Sequence, residues 1–323
     1  MSTESFQARI GYRGDLKEVF NPVVHDYKLG DLISYKPILQ GYEDFNVILE
    51  TDKGKYLTKV MASFRLDKEA NQYADTIRTV LDGGISHPKM YKSPMGDLYS
   101  VVIDGNKIRL VVMDYIEGKD FYKLGKKPNN KEMSFLSQQA AKINRLDLHP
   151  EHVYDSWAIP NFLKEYEEVK NKLDEEDLEY IRPLVRLFPK LEIDKLPHSF
   201  VHGDIISTNV IKADNESLYI IDFAVGNIYP RIQELAILLC DLLFVNDKNK
   251  YLENYNLALG EYQKIIKLED EELKMLPVYI KLAHAMHIIP ATREKLNGTT
   301  LPENDFWLKS GKDGIRIASE IWK

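Results

Sequence analysis

The spacing of apolar residues changes character once along this chain, and that change limits what it can fold into. Up to about residue 114, apolar residues come in short runs separated by turn residues. "SYKPILQGYEDFNVILETDKGKYLTKVMA" (34–62) holds two such runs around "TDKGK", where Gly54 supplies the positive φ of a tight hairpin. "DLYSVVIDGNKIRLVVMDY" (97–115) holds two more, split by Asp104-Gly105-Asn106. A helical stretch lies between the pairs, from roughly Leu66 to Leu81, and Gly83-Gly84 ends it. After "YIEGKDFYKLGKKPNN" the period becomes helical, over 131–147, over 160–190 and from 230 onward. Strands return briefly at 199–201, 209–212 and 218–223. The pattern predicts an α+β chain. Residues 1–113 form a small antiparallel β-sheet lobe with a helix, residues 114–323 a larger, mainly helical lobe, and the junction falls at about 110–118.

Composition narrows the classes. A chain of 323 residues has room for two lobes. A net charge of −7, from 50 acids against 43 bases, argues against a nucleic-acid partner. The N-terminus lacks the apolar core of a signal peptide. The most apolar run, "IQELAILLCDLLFV" (232–245), is too short and too polar to span a bilayer. Cys240, the single cysteine, lies in that run and reads as a small core residue. These features predict a cytoplasmic protein without a membrane partner and leave its oligomeric state open.

"FVHGDIISTNVIKADNESLYIIDFAVGN" (200–227) concentrates the chemistry. "NVIKA" and "SLYIIDF" read as a hairpin turned by "DNES", with His202, Asp204 and Asn209 on the loop before it and Asp222 at its end. A hairpin brings its ends together, so Asn209 and Asp222 are expected side by side, with Asp204 close by. Two oxygen ligands for a hard cation and a carboxylate able to take a hydroxyl proton suit phosphoryl transfer.

"HGDIISTN" followed by "IIDF" resembles the HGDxxxxN…IDF/IDW pattern of the aminoglycoside phosphotransferase, choline kinase and homoserine kinase superfamily. The resemblance implies a bilobal protein-kinase-like fold. It implies that Asp204 is the catalytic Asp, that His202 orders the loop, and that Asn209 and Asp222 hold Mg²⁺. It also implies a nucleotide-binding first lobe, with ATP as phosphoryl donor and GTP left open. There Gly41 to Asn46 resembles the family's phosphate loop, and Lys59 in "YLTKV" the strand lysine that contacts the phosphates. Glu69, ten residues further on, is the candidate partner of that lysine. "LVVMDYIEG" resembles the hinge strand, with Asp114, Tyr115 and Ile116 as the adenine contacts. "DFAVGN" lacks the DFG triplet and no APE segment follows, as in small-molecule rather than protein kinases. Glu234 stands where relatives often carry Asp, and Asn144 where they often carry His.

The expected activity is ATP- and Mg²⁺-dependent phosphorylation of a hydroxyl group on a small molecule such as an aminoglycoside, amino alcohol or homoserine-like compound. The alternative is an inactive nucleotide-binding regulator of the same fold. Acceptor contacts are expected after residue 245. His284 and His287, three apart on one helix face, read as core or acceptor-pocket side chains rather than metal ligands.

Overall fold

The computed structural model describes residues 7–38, 44–299 and 301–323. The chain forms two compact units, Met1–Gly118 with Ala213–Ile221, and Lys119–Lys212 with Asp222–Lys323. The first unit therefore includes the turn and return strand of the 209–223 hairpin, which the sequence pattern assigned wholly to the C-terminal lobe.

The first unit is built on five antiparallel strands: β1 (Leu32–Ile38), β2 (Phe45–Thr51), β3 (Gly54–Val60), β4 (Tyr99–Ile103) and β5 (Asn106–Asp114). Their order is β1-β2-β3-β5-β4. The β2–β3 hairpin closes at the Thr51–Gly54 pair, where Gly54 takes φ 139°. The β4–β5 turn places Asp104 and Gly105 at φ 50° and 76°, two left-handed residues in a row that match the twist of the strands. Both turns stand where the sequence predicts them. Phe45, Val47 and Leu49 alternate into a core shared with the helix Leu16–Asp26. That helix was not anticipated. Leu16, Val19, Phe20, Val23 and Val24 have helical spacing, but Pro22 interrupts the signal.

The helix Asp67–Asp82 starts and ends one residue later than expected. The left-handed residue at its end is Gly84, at φ 71°, while Gly83 stays right-handed at −74°. Gly84 N–H donates to Leu81 O at 3.0 Å and Ile85 N–H to Val80 O at 3.1 Å, the crossed pair of a Schellman end.

In the second unit the stretch 160–190 holds two helices, Phe162–Val169 and Glu175–Leu187, rather than one continuous run. The strand His198–Val201 pairs with Asn227–Pro230, a strand the sequence reading missed. The apolar run at 232 forms the helix Ile232–Cys240, buried at every position, and ends at Asp241, whose φ −111° and ψ −80° leave the helical region. The helix Asp270–Leu296 packs on Pro302–Ile321. Gly314 makes that approach possible, since a Cβ there would lie 2.0–2.6 Å from the His284 ring. Among the described residues, no helix is long and apolar enough to cross a membrane.

Candidate active site

The loop after Val201 is fixed from both sides. His202 is fully buried, and its backbone N–H donates to Glu234 Oε2 at 2.5 Å. Gly203, at φ 79°, donates its N–H to Glu234 Oε1 at 3.4 Å. Glu234 thus gathers two amides of the loop from a helix more than thirty residues away in sequence. Its own burial pushes its pKa up to about 8. The His202 ring packs edge-on to Phe223, centroids 4.2 Å apart, and Nδ1 accepts the Asp204 N–H at 3.0 Å. That bond leaves the ring proton of neutral His202 on Nε2.

Asp204 and Asn209 meet as the motif predicts. Asn209 Nδ2 donates to Asp204 Oδ2 at 2.6 Å and to Asp204 O at 3.1 Å. Asn209 Oδ1 is then the oxygen it can offer a cation. Asp222 lies beyond the hairpin at φ 67°, a left-handed conformation rare for a residue other than glycine. The strand ends at Ile220, short of the expected 223, before the chain takes this conformation. Burial, then the charges of Asp155, Asp222 and Asp241, raise the Asp204 carboxyl well above the usual carboxylate range. Sequence reading gave no role to Asp155, or to Asp241 beyond its polarity. Asp241 Oδ1 accepts the Ser207 N–H at 2.7 Å, and its carbonyl accepts from Lys127 Nζ at 2.7 Å. The Asp155 backbone oxygen accepts from Asn161 Nδ2 at 2.7 Å, and its Oδ1 from the Trp157 N–H at 2.9 Å. Neither acid stands in a motif, so spacing held no signal for them.

Asn144 buttresses the strand before the loop. Its Nδ2 donates to Phe200 O at 2.8 Å, and its Oδ1 accepts from Tyr262 Oη at 2.6 Å. His284 and His287 are buried beside Cys240, whose Sγ lies 3.2 Å from His284 Nδ1 and 3.7 Å from His287 Nδ1. Burial lowers both imidazoles and raises the thiol, so the three form a neutral core cluster. Among the described residues, no group of three or more His, Cys, Asp or Glu is arranged to hold a metal.

In the first unit Gly41 lies outside the described residues. Asn46 on β2 pairs with Lys59 on β3, so the two side chains share a sheet face, opposite the one packed on the Leu16–Asp26 helix. Lys59 is only 6% exposed. Its Nζ lies 3.6 Å from Asp44 Oδ2 and 4.6 Å from the centroid of the Tyr73 ring. Glu69 turns back on its own helix, accepting the Leu66 N–H at 2.7 Å. At the end of β5, Asp114 Oδ1 accepts from Tyr91 Oη at 2.6 Å and its N–H donates to Lys89 O at 2.9 Å. Tyr115 and Ile116 line an open cavity of about 230 Å³ with Glu117, Asp214 and Tyr219.

An antiparallel N-terminal sheet, a helical C-terminal part and an Asp–Asn loop braced by a buried glutamate define a phosphotransferase of protein-kinase-like fold. The profile of the phosphotransferase enzyme family matches residues 34–269, and the chain belongs to that family. A homoserine kinase from Rhodopseudomonas palustris (strain BisB5) is 22% identical over 261 residues, covering 78% of this chain and 76% of that protein. One from Parvibaculum lavamentivorans is 24% identical over 267 residues, covering 78% of each. An amicoumacin kinase solved with AMP-PNP and Ca²⁺ superposes with a TM-score of 0.66 at 18% identity, covering 99% of this chain and 96% of that one. A microcompartment-associated aminopropanol kinase gives 0.67 at 14% identity, covering 94% and 96%. The chain is accordingly a phosphotransferase, and the relatives and structures it resembles are named as kinases of small molecules.

Proposed function

We propose that this protein transfers the γ-phosphoryl group of ATP, with Mg²⁺, to the hydroxyl of a small acceptor that also carries a protonated amine. The carrying observation is Asp204, held by Asn209 at 2.6 Å and raised by burial and three further acids. Asp155 and Asp241 add to the acidic surroundings of Asp204, and an acidic site favours a cationic acceptor. The relatives named homoserine kinase put a hydroxy amino acid first among the candidates.

Asp204 accepts the acceptor's hydroxyl proton as that oxygen bonds to the γ-phosphorus. The bond from phosphorus to the β-phosphate oxygen breaks, and ADP leaves with the electron pair. Asn209 Nδ2 steadies the Asp204 carboxylate, and His202 holds its backbone. Asn209 Oδ1 and the Asp222 carboxylate are hard oxygen donors of the kind Mg²⁺ selects. Bound Mg²⁺ supplies neutralisation of phosphate charge. Lys59 contacts the phosphates from β3, with Asn46 beside it, and the backbone from Asp114 to Ile116 receives the adenine. An enzyme consuming ATP in this way belongs in the cytoplasm.

The test is transfer of labelled phosphate from ATP to homoserine, ethanolamine, choline, aminopropanol and aminoglycosides, with Asp204→Asn as the blank. Phosphorylation of one amine-bearing class, absent in the blank and abolished by chelation, is expected. Equal labelling by the Asp204→Asn protein sinks the catalytic assignment. Preference for neutral alcohols sinks the amine.

A further inference from the structure

We propose that Asp44, not the helix carboxylate Glu69, is the acid that positions Lys59 for the nucleotide phosphates, with Arg65 holding Asp44 in place. The proposal rests on the phosphate role given to Lys59 above. A lysine only 6% exposed needs a countercharge, because an ammonium withdrawn from water without one is strongly disfavoured. Asp44 is itself 7% exposed, and its Oδ2 lies 3.6 Å from Lys59 Nζ. Its other oxygen is pinned twice, by Arg65 Nε at 2.7 Å and by the Ala62 N–H at 3.1 Å. Arg65 is anchored in turn, since its carbonyl accepts from Arg109 Nη1 at 2.5 Å. Asp44 is therefore a fixed charge rather than a swinging one.

The helix Asp67–Asp82 also reaches Lys59, but through a ring. Tyr73 lies beneath the ammonium at 4.6 Å, a cation–π contact. Glu69 is one turn earlier, at the third helical position. Its carboxylate caps the first turn through Leu66 N–H. The nine residues between Lys59 and Glu69 bring the chain only as far as that first turn. The place expected for the Glu69 carboxylate is thus taken by an aspartate from the segment entering β2 and by an aromatic face.

The test measures equilibrium binding of AMP-PNP with Mg²⁺ and, separately, KM for ATP and kcat, on Lys59→Met, Asp44→Asn, Glu69→Gln and the two doubles with Lys59→Met. Melting temperatures show which variants fold. Asp44→Asn keeps the shape and the acceptor oxygen for Arg65 and Ala62, so the pocket is expected to persist. Binding is expected to weaken about tenfold in Asp44→Asn, with KM moving more than kcat, and Asp44→Asn is expected to add little on top of Lys59→Met. Glu69→Gln is expected to combine additively with Lys59→Met. Additive effects of Asp44→Asn, or tighter binding in Asp44→Asn, overturn the proposal. If Lys59→Met itself leaves binding unchanged, the phosphate role of Lys59 fails and the proposal falls with it. If Lys59→Met weakens binding and Asp44→Asn does not, only the proposal falls.

Discussion

At the scale of single residues the chemistry rests on charge held out of water. Asp204 must be ionised to accept a proton, yet burial and its acidic neighbours favour its protonated form. The acid limb of kcat/KM is therefore expected above the ordinary aspartate range, with the rate falling as pH falls through it. Asp155→Asn removes one raising charge and is expected to move that limb to lower pH, read from the pH profile and not from the plateau. Asp204→Asn is expected to lower kcat about 10²–10⁴-fold, while AMP-PNP affinity stays within about threefold. Glu234 carries a stability prediction. Its folded pKa, about 8, lies above its ordinary value of 4.5. The stability it contributes is complete below the ordinary value and is lost as pH rises through the folded one. Between pH 5 and 8 the wild-type melting temperature is expected to fall more steeply than that of Glu234→Gln; parallel slopes would show that Glu234 does not titrate there.

At the scale of elements, close approach dominates. Replacing Gly314 with Ala improves intrinsic helix propensity by about 1 kcal/mol. It also drives a methyl into the His284 ring, which costs about 1–3 kcal/mol in a packed core. The second effect wins, so Gly314→Ala is expected to unfold at lower denaturant than wild type. Asn144→Ala strips partners from both Phe200 O and Tyr262 Oη, each buried. A loss of about 2–4 kcal/mol in chemical denaturation is expected. Activity is expected to fall with it, because the catalytic loop starts two residues after Phe200. The turns at Gly54, Asp104-Gly105 and Gly83-Gly84 were predictable, because each depends on a few adjacent residues. The Leu16–Asp26 helix and the Asn227–Pro230 strand were not. Pro22 breaks the pattern of the first, and the second is only four residues long and is defined by its partner.

At the scale of the whole molecule, the order of elements carries the kinase-like fold, and the family match spans residues 34–269. The strand–loop–hairpin order and the meeting of Asp204 with Asn209 were legible in the sequence, because the two residues lie five positions apart on one short loop between strands. The same holds for Asn46 and Lys59, which one tight hairpin puts in register. The carboxylates that surround these groups were decided only by the tertiary structure. Asp155, Asp241 and Glu234 reach the catalytic loop from segments tens of residues away, and their effect depends on burial, which no local pattern encodes. Asp44 illustrates the same limit at short range. It lies within the segment that resembles a phosphate loop, but only the folded sheet brings it to Lys59 and Arg65 while Glu69 is drawn into its own helix end. Sequence determines which groups a turn or a strand pair must bring together. Packing decides which charges face one another with water excluded, and so how strongly each holds its proton.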